Sequence, residues 1–310
     1  MNKVSSGLYT INNQHKIFYS LYKPTNQPVL ATILLIHGMQ EHSGRYQELA
    51  NYLTKQQFAV LIYDQLGHGK TAANPDLLGY FKKEKAKEQL IDDAITMSSF
   101  FRKAYPQAQQ FILGHSMGSF VTRCVLQKIG AQFKGAIIVG TGQRQKGSST
   151  FRVLLSLLNT VAPHKRSKLI NGIFDRRNNA GFKNEPNQRN SNWLSVNEIN
   201  RIAFLEDPLC GGLFTNNGFH TVLDLSLQAT DSTATRRIPK TLPIAFISGQ
   251  DDPIGDFGTG VEKSADQLRN QGQADVTVKL YPGMRHEILN EDCKIEVFQF
   301  ISSWIHSHLT

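Results

Sequence analysis

The sequence predicts an α/β protein: a mostly parallel central sheet flanked by helices, with a helical cap inserted late in the chain. Three observations carry this. Short apolar runs alternate with longer stretches of helical spacing, the rhythm of strands joined by crossover helices. That rhythm breaks between about residues 142 and 238 and resumes at Leu242. A chain of 310 residues, 40% apolar and 19% charged, suits one large domain or a core with an insertion. This composition excludes disorder, collagen-like repeats and coiled coil.

Residues 7–22 alternate as a hairpin does, with Tyr9 and Ile11 on one limb and Ile17, Tyr19 and Leu21 on the other, and should form an antiparallel edge. Apolar runs at 30–36 and 58–63 read as buried strands separated by a helix over 44–55. A helix over 84–105 leads to a strand at 110–113, a helix over 116–129 and a strand at 134–139. After the break, strands are expected at 242–247 and 276–281, with helices at 261–270 and 293–306. These last strands complete the sheet, so the core is assigned to 1–142 and 236–310, and the cap to 143–235.

The inserted segment mixes an apolar stretch at 151–162 with Asn-rich sequence (Asn178, Asn179, Asn184, Asn187, Asn190, Asn192). Phe151, Leu154, Leu155, Leu158 and Val161 recur at helical spacing. They are expected to pack over the core and line an acyl pocket, with a membrane interface as the alternative cover.

Charge is unevenly placed. Lys and Arg number 34 against 25 Asp and Glu, a formal net charge of +9. Residues 143–191 hold ten of the basic residues and only two acids, Asp175 and Glu185, a net of +8 that leaves +1 for the rest. The early cap is therefore expected to draw anionic lipid head groups or a membrane surface. No nucleic-acid-binding module accompanies the basic residues, so a nucleic-acid partner is not expected. Cys124, Cys210 and Cys293 lie far apart and form no CxxC pair, which points to a reducing compartment. The N-terminus lacks the apolar stretch of a signal peptide and the longest aliphatic runs are strand-length, so a cytoplasmic protein is expected.

Gly114-His115-Ser116-Met117-Gly118 is a G-x-S-x-G motif between an expected strand and an expected helix. That context places a serine on a strained turn whose flanking glycines let neighbouring backbones approach. A serine hydroxyl needs a general base. His286 lies on the loop after the last strand, where an open parallel sheet carries its functional groups. A carboxylate should orient the imidazole, and Gly249-Gln250-Asp251-Asp252-Pro253 supplies two. The chain order serine, aspartate, histidine is that of α/β-hydrolases. The oxyanion formed in acyl transfer calls for two backbone donors, assigned to the N–H groups of Met117 and of Met39, the latter on the loop after strand 30–36.

The segment His37-Gly38-Met39-Gln40-Glu41-His42-Ser43-Gly44-Arg45-Tyr46 resembles the HGxxEHSGRY stretch of monoacylglycerol lipases and bacterial lysophospholipases. Asp64 to Thr71 resembles their DxxGHGxS turn, with Thr71 for the usual serine and Gln65 where His or Arg is common. Gly114 to Gly118 is similar to their GHSMG elbow, Gly249 to Pro253 to their acid motif, and Tyr281 to Glu287 to their histidine loop. The resemblance implies an α/β-hydrolase with a helical cap, hydrolysing glycerolipid esters without metal or cofactor, and selects Asp252 as the aspartate. The cap shows little match.

Other features have plainer readings. Asp64 and His68 are expected to build a turn, and His115 to hydrogen-bond locally. Glu41 and Arg45 are expected to pair. His286-Glu287-Ile288-Leu289-Asn290 lacks the second histidine of a zinc helix, and the glycines at 255–260 lack a dinucleotide motif. Two rivals remain. One is a proline-iminopeptidase-type aminopeptidase, which needs cap carboxylates for a substrate ammonium. The other is a non-catalytic module on the same scaffold, against which an intact Ser116, Asp252 and His286 weigh.

Overall fold

Strands β3 (Ala31–Ile36), β4 (Phe58–Tyr63) and β6 (Gly135–Val139) are buried along their whole length, and β5 (Gln109–His115) at all but its first residue. Both faces of a parallel sheet are covered by its crossover helices, so such strands read as unbroken apolar runs. The computed structural model describes residues 3–11, 15–25, 27–186 and 189–309. The hairpin turn at 12–14 and Asn187 lie outside the described residues.

Among the described residues, eight strands form one sheet in the order β1-β2-β4-β3-β5-β6-β7-β8. The hairpin of β1 (Lys3–Ile11) and β2 (His15–Lys23) sits at one edge, with β2 antiparallel to β4. From β4 to the far edge, β7 (Ile244–Gly249) and β8 (Val276–Tyr281), all pairs are parallel. Helices α1 (Gln47–Lys55) and α10 (Lys294–Ser307) cover the face carrying Ile33 and Leu35. Helices α2 (Ala86–Ala104) and α3 (Met117–Ile129) cover the face carrying Leu34 and Ile36. Helix α9 (Thr259–Asn270) precedes β8. Each expected strand and helix is present, with ends shifted by a few residues.

The order of the strands locates the site. The chain passes from β3 to β4 on one side and then returns to β5 on the other, so the loops after β3 and β5 diverge from a common crevice. Such a switch point is where open α/β sheets bind ligands.

Between β6 and β7 come α4 (Ser148–Val161), α5 (Lys168–Asn178), α6 (Glu198–Glu206), α7 (Asn216–Ala229) and α8 (Ser232–Thr235). Of the stripe expected to pack inward, Leu155 is buried and Phe151 and Leu158 are partly so. Leu154 and Val161 instead face outward with Val153 and Leu157, at 46%, 76%, 68% and 62% exposure. No residue of 151–162 lines the cavity above Ser116, which corrects the pocket-lining expectation for this helix. Periodicity identified an apolar face, but α4 has apolar residues on two faces, and only one has the core beneath it.

The buried Arg123 guanidinium anchors the exit from β6. It donates to the Thr141 hydroxyl (3.2 Å) and the Gly142 carbonyl (2.9 Å), and burial lowers its pKa to about 10.

Candidate active site

Ser116 occupies the turn between β5 and α3 at φ 53° and ψ −119°, a left-handed conformation for a residue with a side chain. The residues two positions to either side must be glycine for steric reasons. A Cβ on Gly118 would collide with the Ile36 and His37 carbonyls, and one on Gly114 with Thr122 and the Gly118 carbonyl. The turn is held by the Ser116 N–H on the Val139 carbonyl (3.0 Å) and by the Ser119 hydroxyl on the Ser116 carbonyl (2.5 Å).

The Ser116 Oγ lies 2.8 Å from His286 Nε2, and His286 Nδ1 lies 2.8 Å from Asp252 Oδ2. Asp252 is wholly buried; its other oxygen accepts the Ile254 N–H (2.8 Å), and the Ser248 hydroxyl donates to Oδ2 (3.2 Å). These contacts aim Oδ2 at the imidazole and leave Nε2 facing the serine. The sequence offered two carboxylates; Asp251 uses its N–H on the Met284 carbonyl (2.9 Å), and Asp252 is the one on the imidazole.

A cavity of about 130 Å³ opens over Ser116, lined in part by Met39, Met117, Trp193 and His286. Neither the Met39 nor the Met117 amide has an acceptor among the described residues. The loop bearing Met39 is fixed from behind. His37 Nδ1–H donates to the Gly38 carbonyl (2.8 Å) while its Nε2 accepts the Gln65 N–H (2.9 Å), and burial lowers its pKa. His68 accepts the Gln40 N–H at 3.2 Å; burial, with His37 beside it, holds its pKa near about 3. Asp64 accepts the Ser43 and Lys70 N–H groups at 2.8 and 2.7 Å. Asp64 and His68 therefore serve the turn, as expected.

A second layer of charge binds the loops together. Glu41 Oε1 accepts the Gly38 N–H (2.5 Å) and the Tyr46 hydroxyl (2.6 Å), and lies 3.2 Å from His115 Nδ1. His115 Nε2 lies 3.1 Å from the His286 carbonyl, which can only accept, so Nε2 carries a proton. The Tyr46 hydroxyl spends its hydrogen on Glu41, so at 2.8 Å it accepts one from His115 Nδ1. Both ring nitrogens face acceptors, an arrangement that favours the imidazolium. Burial opposes that charge, but the hydrogen bond and charge of Glu41 raise the His115 pKa. Burial likewise opposes the Glu41 carboxylate, and His115 and Arg45 hold it well below the usual range. Arg45 donates to Glu41 (3.1 Å), Glu287 (2.5 and 2.8 Å) and Asn200 (3.0 Å). The Glu41–Arg45 pair was legible; Glu287 and Asn200 were not.

Linkage gives this cluster a pH signature. The His115 contribution is complete below the ordinary value of 6.5 and is lost as pH rises through the raised one. The Glu41 contribution is complete above the ordinary value of 4.5 and is lost as pH falls through the depressed one. Glu41→Gln is expected to destabilise the fold most at about pH 5.5, by about 3–5 kcal/mol, because it strands a buried cation. Thermal midpoints should show the gap narrowing as pH rises through the raised His115 value. A gap constant across that range would mean that His115 is neutral.

The histidine loop is stitched to residues 192–200. Arg285 donates to the Asn192 carbonyl (2.7 Å) and pairs with Glu185, and the Glu287 N–H donates to the Leu194 carbonyl (2.8 Å). The buried Glu291 accepts the Ser195 hydroxyl (2.7 Å) and the Val196 N–H (2.8 Å). The Trp193 ring lies 5.0 Å from that of His286.

Among the described residues, one cluster has metal-ligand composition: His42, Asp207 and Cys210, with ligand atoms within 4.8 Å of one another. Its donors are already committed. His42 Nδ1 accepts the Gly44 N–H (3.1 Å), so Nε2 carries the proton it gives to Asp207 (2.9 Å). Burial raises the Cys210 thiol pKa, and Cys210 joins the pair through its main-chain N–H on the Asp207 carbonyl (3.0 Å).

A parallel sheet with an elbow serine, a histidine and a buried aspartate at its switch point defines a serine hydrolase of the α/β-hydrolase fold. The chain belongs to the family described as serine aminopeptidase, S33, whose sequence profile matches residues 27–293. It is 27% identical over 295 residues to the monoglyceride lipase of Homo sapiens, covering 93% of this chain and 86% of that one. It is 23% identical over 304 residues to a monoacylglycerol lipase of Mycolicibacterium smegmatis, covering 95% and 94%. A carboxyl esterase from Bacillus coagulans, solved in complex with glycerol, superposes with a TM-score of 0.89 at 26% identity over 99% of both chains. The chain is a serine hydrolase of the esterase and lipase type.

Proposed function

We propose that this chain hydrolyses acyl esters of glycerol-based lipids, such as monoacylglycerols or lysophospholipids, through an acyl-enzyme. The observation that carries the reading is the unbroken hydrogen-bonded line from Ser116 through His286 to Asp252. Ser116 Oγ attacks the ester carbonyl as His286 Nε2 takes its proton, and the Met39 and Met117 N–H groups bind the oxyanion. His286 returns the proton to the leaving alcohol. It then deprotonates a water that attacks the acyl-enzyme and frees the fatty acid. No metal or cofactor enters this sequence. Residues 143–235 act as a cap over the core. The aminopeptidase alternative draws on the family description and on Asp175 in the cavity, whereas Glu185 is spent on Arg285. The test is a hydrolysis panel of monoacylglycerols, lysophospholipids, nitrophenyl esters and aminoacyl-naphthylamides. Acyl esters should dominate, and faster aminoacyl cleavage would overturn the reading.

The basic cap supports a second element of the proposal, transient docking on anionic lipid. Val153, Leu157 and Val161 on α4 and Leu169 on α5 are exposed, as are Lys165 and Lys168. Among the described residues no helix is long and apolar enough to cross a membrane, so such docking would be peripheral. The three free cysteines support a cytoplasmic setting. Lys165→Glu with Lys168→Glu is expected to weaken cosedimentation with phosphatidylglycerol vesicles about tenfold or more. Binding that ignored salt, lipid charge and these substitutions would remove the docking element.

A further inference from the structure

Helix α5 presents Asn171, Phe174 and Asp175 to the cavity above Ser116, the i, i+3, i+4 spacing of one helix face. The Asn171 amide is fully used, donating to the Ser167 and Phe214 carbonyls and accepting the Phe214 N–H. Asp175 differs. Its main-chain carbonyl is engaged by Asn179, but its carboxylate has no partner among the described residues. Burial lifts that carboxyl above its ordinary value, as befits an acid without a counter-charge. Residues 143–191 carry ten cations, yet none neutralises it, while the other acid of the segment, Glu185, is paired with Arg285.

Asp175 shares its cavity with two aromatic residues as well as with Arg189, Asn190 and Ser191. Phe174 meets Trp193 edge to face with centroids 5.7 Å apart, and both rings line the same cavity. A carboxylate and aromatic rings that line one cavity suit an alkylammonium, by charge from the carboxylate and by the negative faces of the rings. We propose that Asp175, with Phe174 and Trp193, forms a subsite for a cationic group carried by the substrate. The exposed Arg189 on the same lining complements a neighbouring phosphate. This rests on the ester-hydrolase reading and narrows it to lipid esters whose head group bears an ammonium. An aminoacyl substrate would present the same cation from another source.

The experiment compares three short-chain substrates: a lysophosphatidylcholine, with phosphate and cation; a lysophosphatidylglycerol, with phosphate alone; and a monoacylglycerol, with neither. An aminoacyl-naphthylamide is the fourth arm. The wild-type protein should prefer the choline ester to the glycerol ester. Asp175→Asn should lower that preference, as a ratio of kcat/KM, about tenfold or more, the size of one charge-assisted contact. Asp175→Lys should reverse it. Because the readout is a ratio within each variant, a loss of folded protein cancels. An unchanged ratio in both variants, or a wild type that turns over only monoacylglycerol, would overturn the subsite and leave the ester-hydrolase reading intact. Failure of all acyl esters would overturn that reading itself. Aminoacyl cleavage that depended on Asp175 would then retain the subsite and assign its cation to the α-ammonium.

Discussion

Ser116→Ala is expected to lower ester turnover on the order of a millionfold, because the remaining members of a Ser-His-Asp set contribute almost nothing without the nucleophile. The fold should survive. The alanine keeps the Cβ that already fits the turn, and the Ser116 main-chain N–H and carbonyl keep their bonds to Val139 and Ser119. Only the hydroxyl facing His286 Nε2 is lost. The measurement is turnover of a nitrophenyl ester together with labelling by a fluorophosphonate, checked against an unchanged thermal midpoint. Turnover within about tenfold of wild type in a folded variant would remove Ser116 from the mechanism.

Asp252→Asn is the more discriminating substitution. It preserves shape, and Oδ1 can still accept the Ile254 N–H. An amide nitrogen in place of Oδ2, however, donates to His286 Nδ1 and drives the imidazole to the tautomer with its hydrogen on Nε2. That nitrogen then cannot accept the serine proton. A fall in kcat of about ten-thousandfold with little change in KM is expected. Asp251→Asn should leave kcat near wild type, since that residue's bond to Met284 is made by its main chain. Equal losses in the two variants would mean that the carboxylate acts through the loop rather than through the imidazole.

These residues were legible because their signals are local. An elbow needs glycine on each side of a strained serine, and that constraint lies within five consecutive residues. The parallel strands were legible because full burial on two faces writes an uninterrupted apolar run, as in β4. The choice between Asp251 and Asp252 was settled by family resemblance alone, since both follow the same strand. The structure supplies the physical reason: the Ile254 N–H and the Ser248 hydroxyl fix the second of the pair. Glu287 was hidden for a different reason. Its partner Arg45 is 242 residues away, and beside His286 it resembled half of a metal motif. Buried carboxylates answering distant cations leave no periodicity behind. The outward face of α4 was misread because spacing reveals which residues share a face and not what lies against it.

The stitching of the histidine loop to residues 192–200 also divides the protein by its freedom to change. Arg285, Glu287 and Glu291 tie the His286 loop to that stretch from several sides, so a substitution there is expected to move the imidazole as well as the loop. Among the described residues, helices α4 and α5 carry no such bond to the histidine loop, and outward apolar residues such as Val153, Leu157 and Leu169 are open to whatever surface or solute they meet. The approach to the serine can therefore be altered in charge, greasiness and head-group fit without touching the bonds that hold the histidine loop.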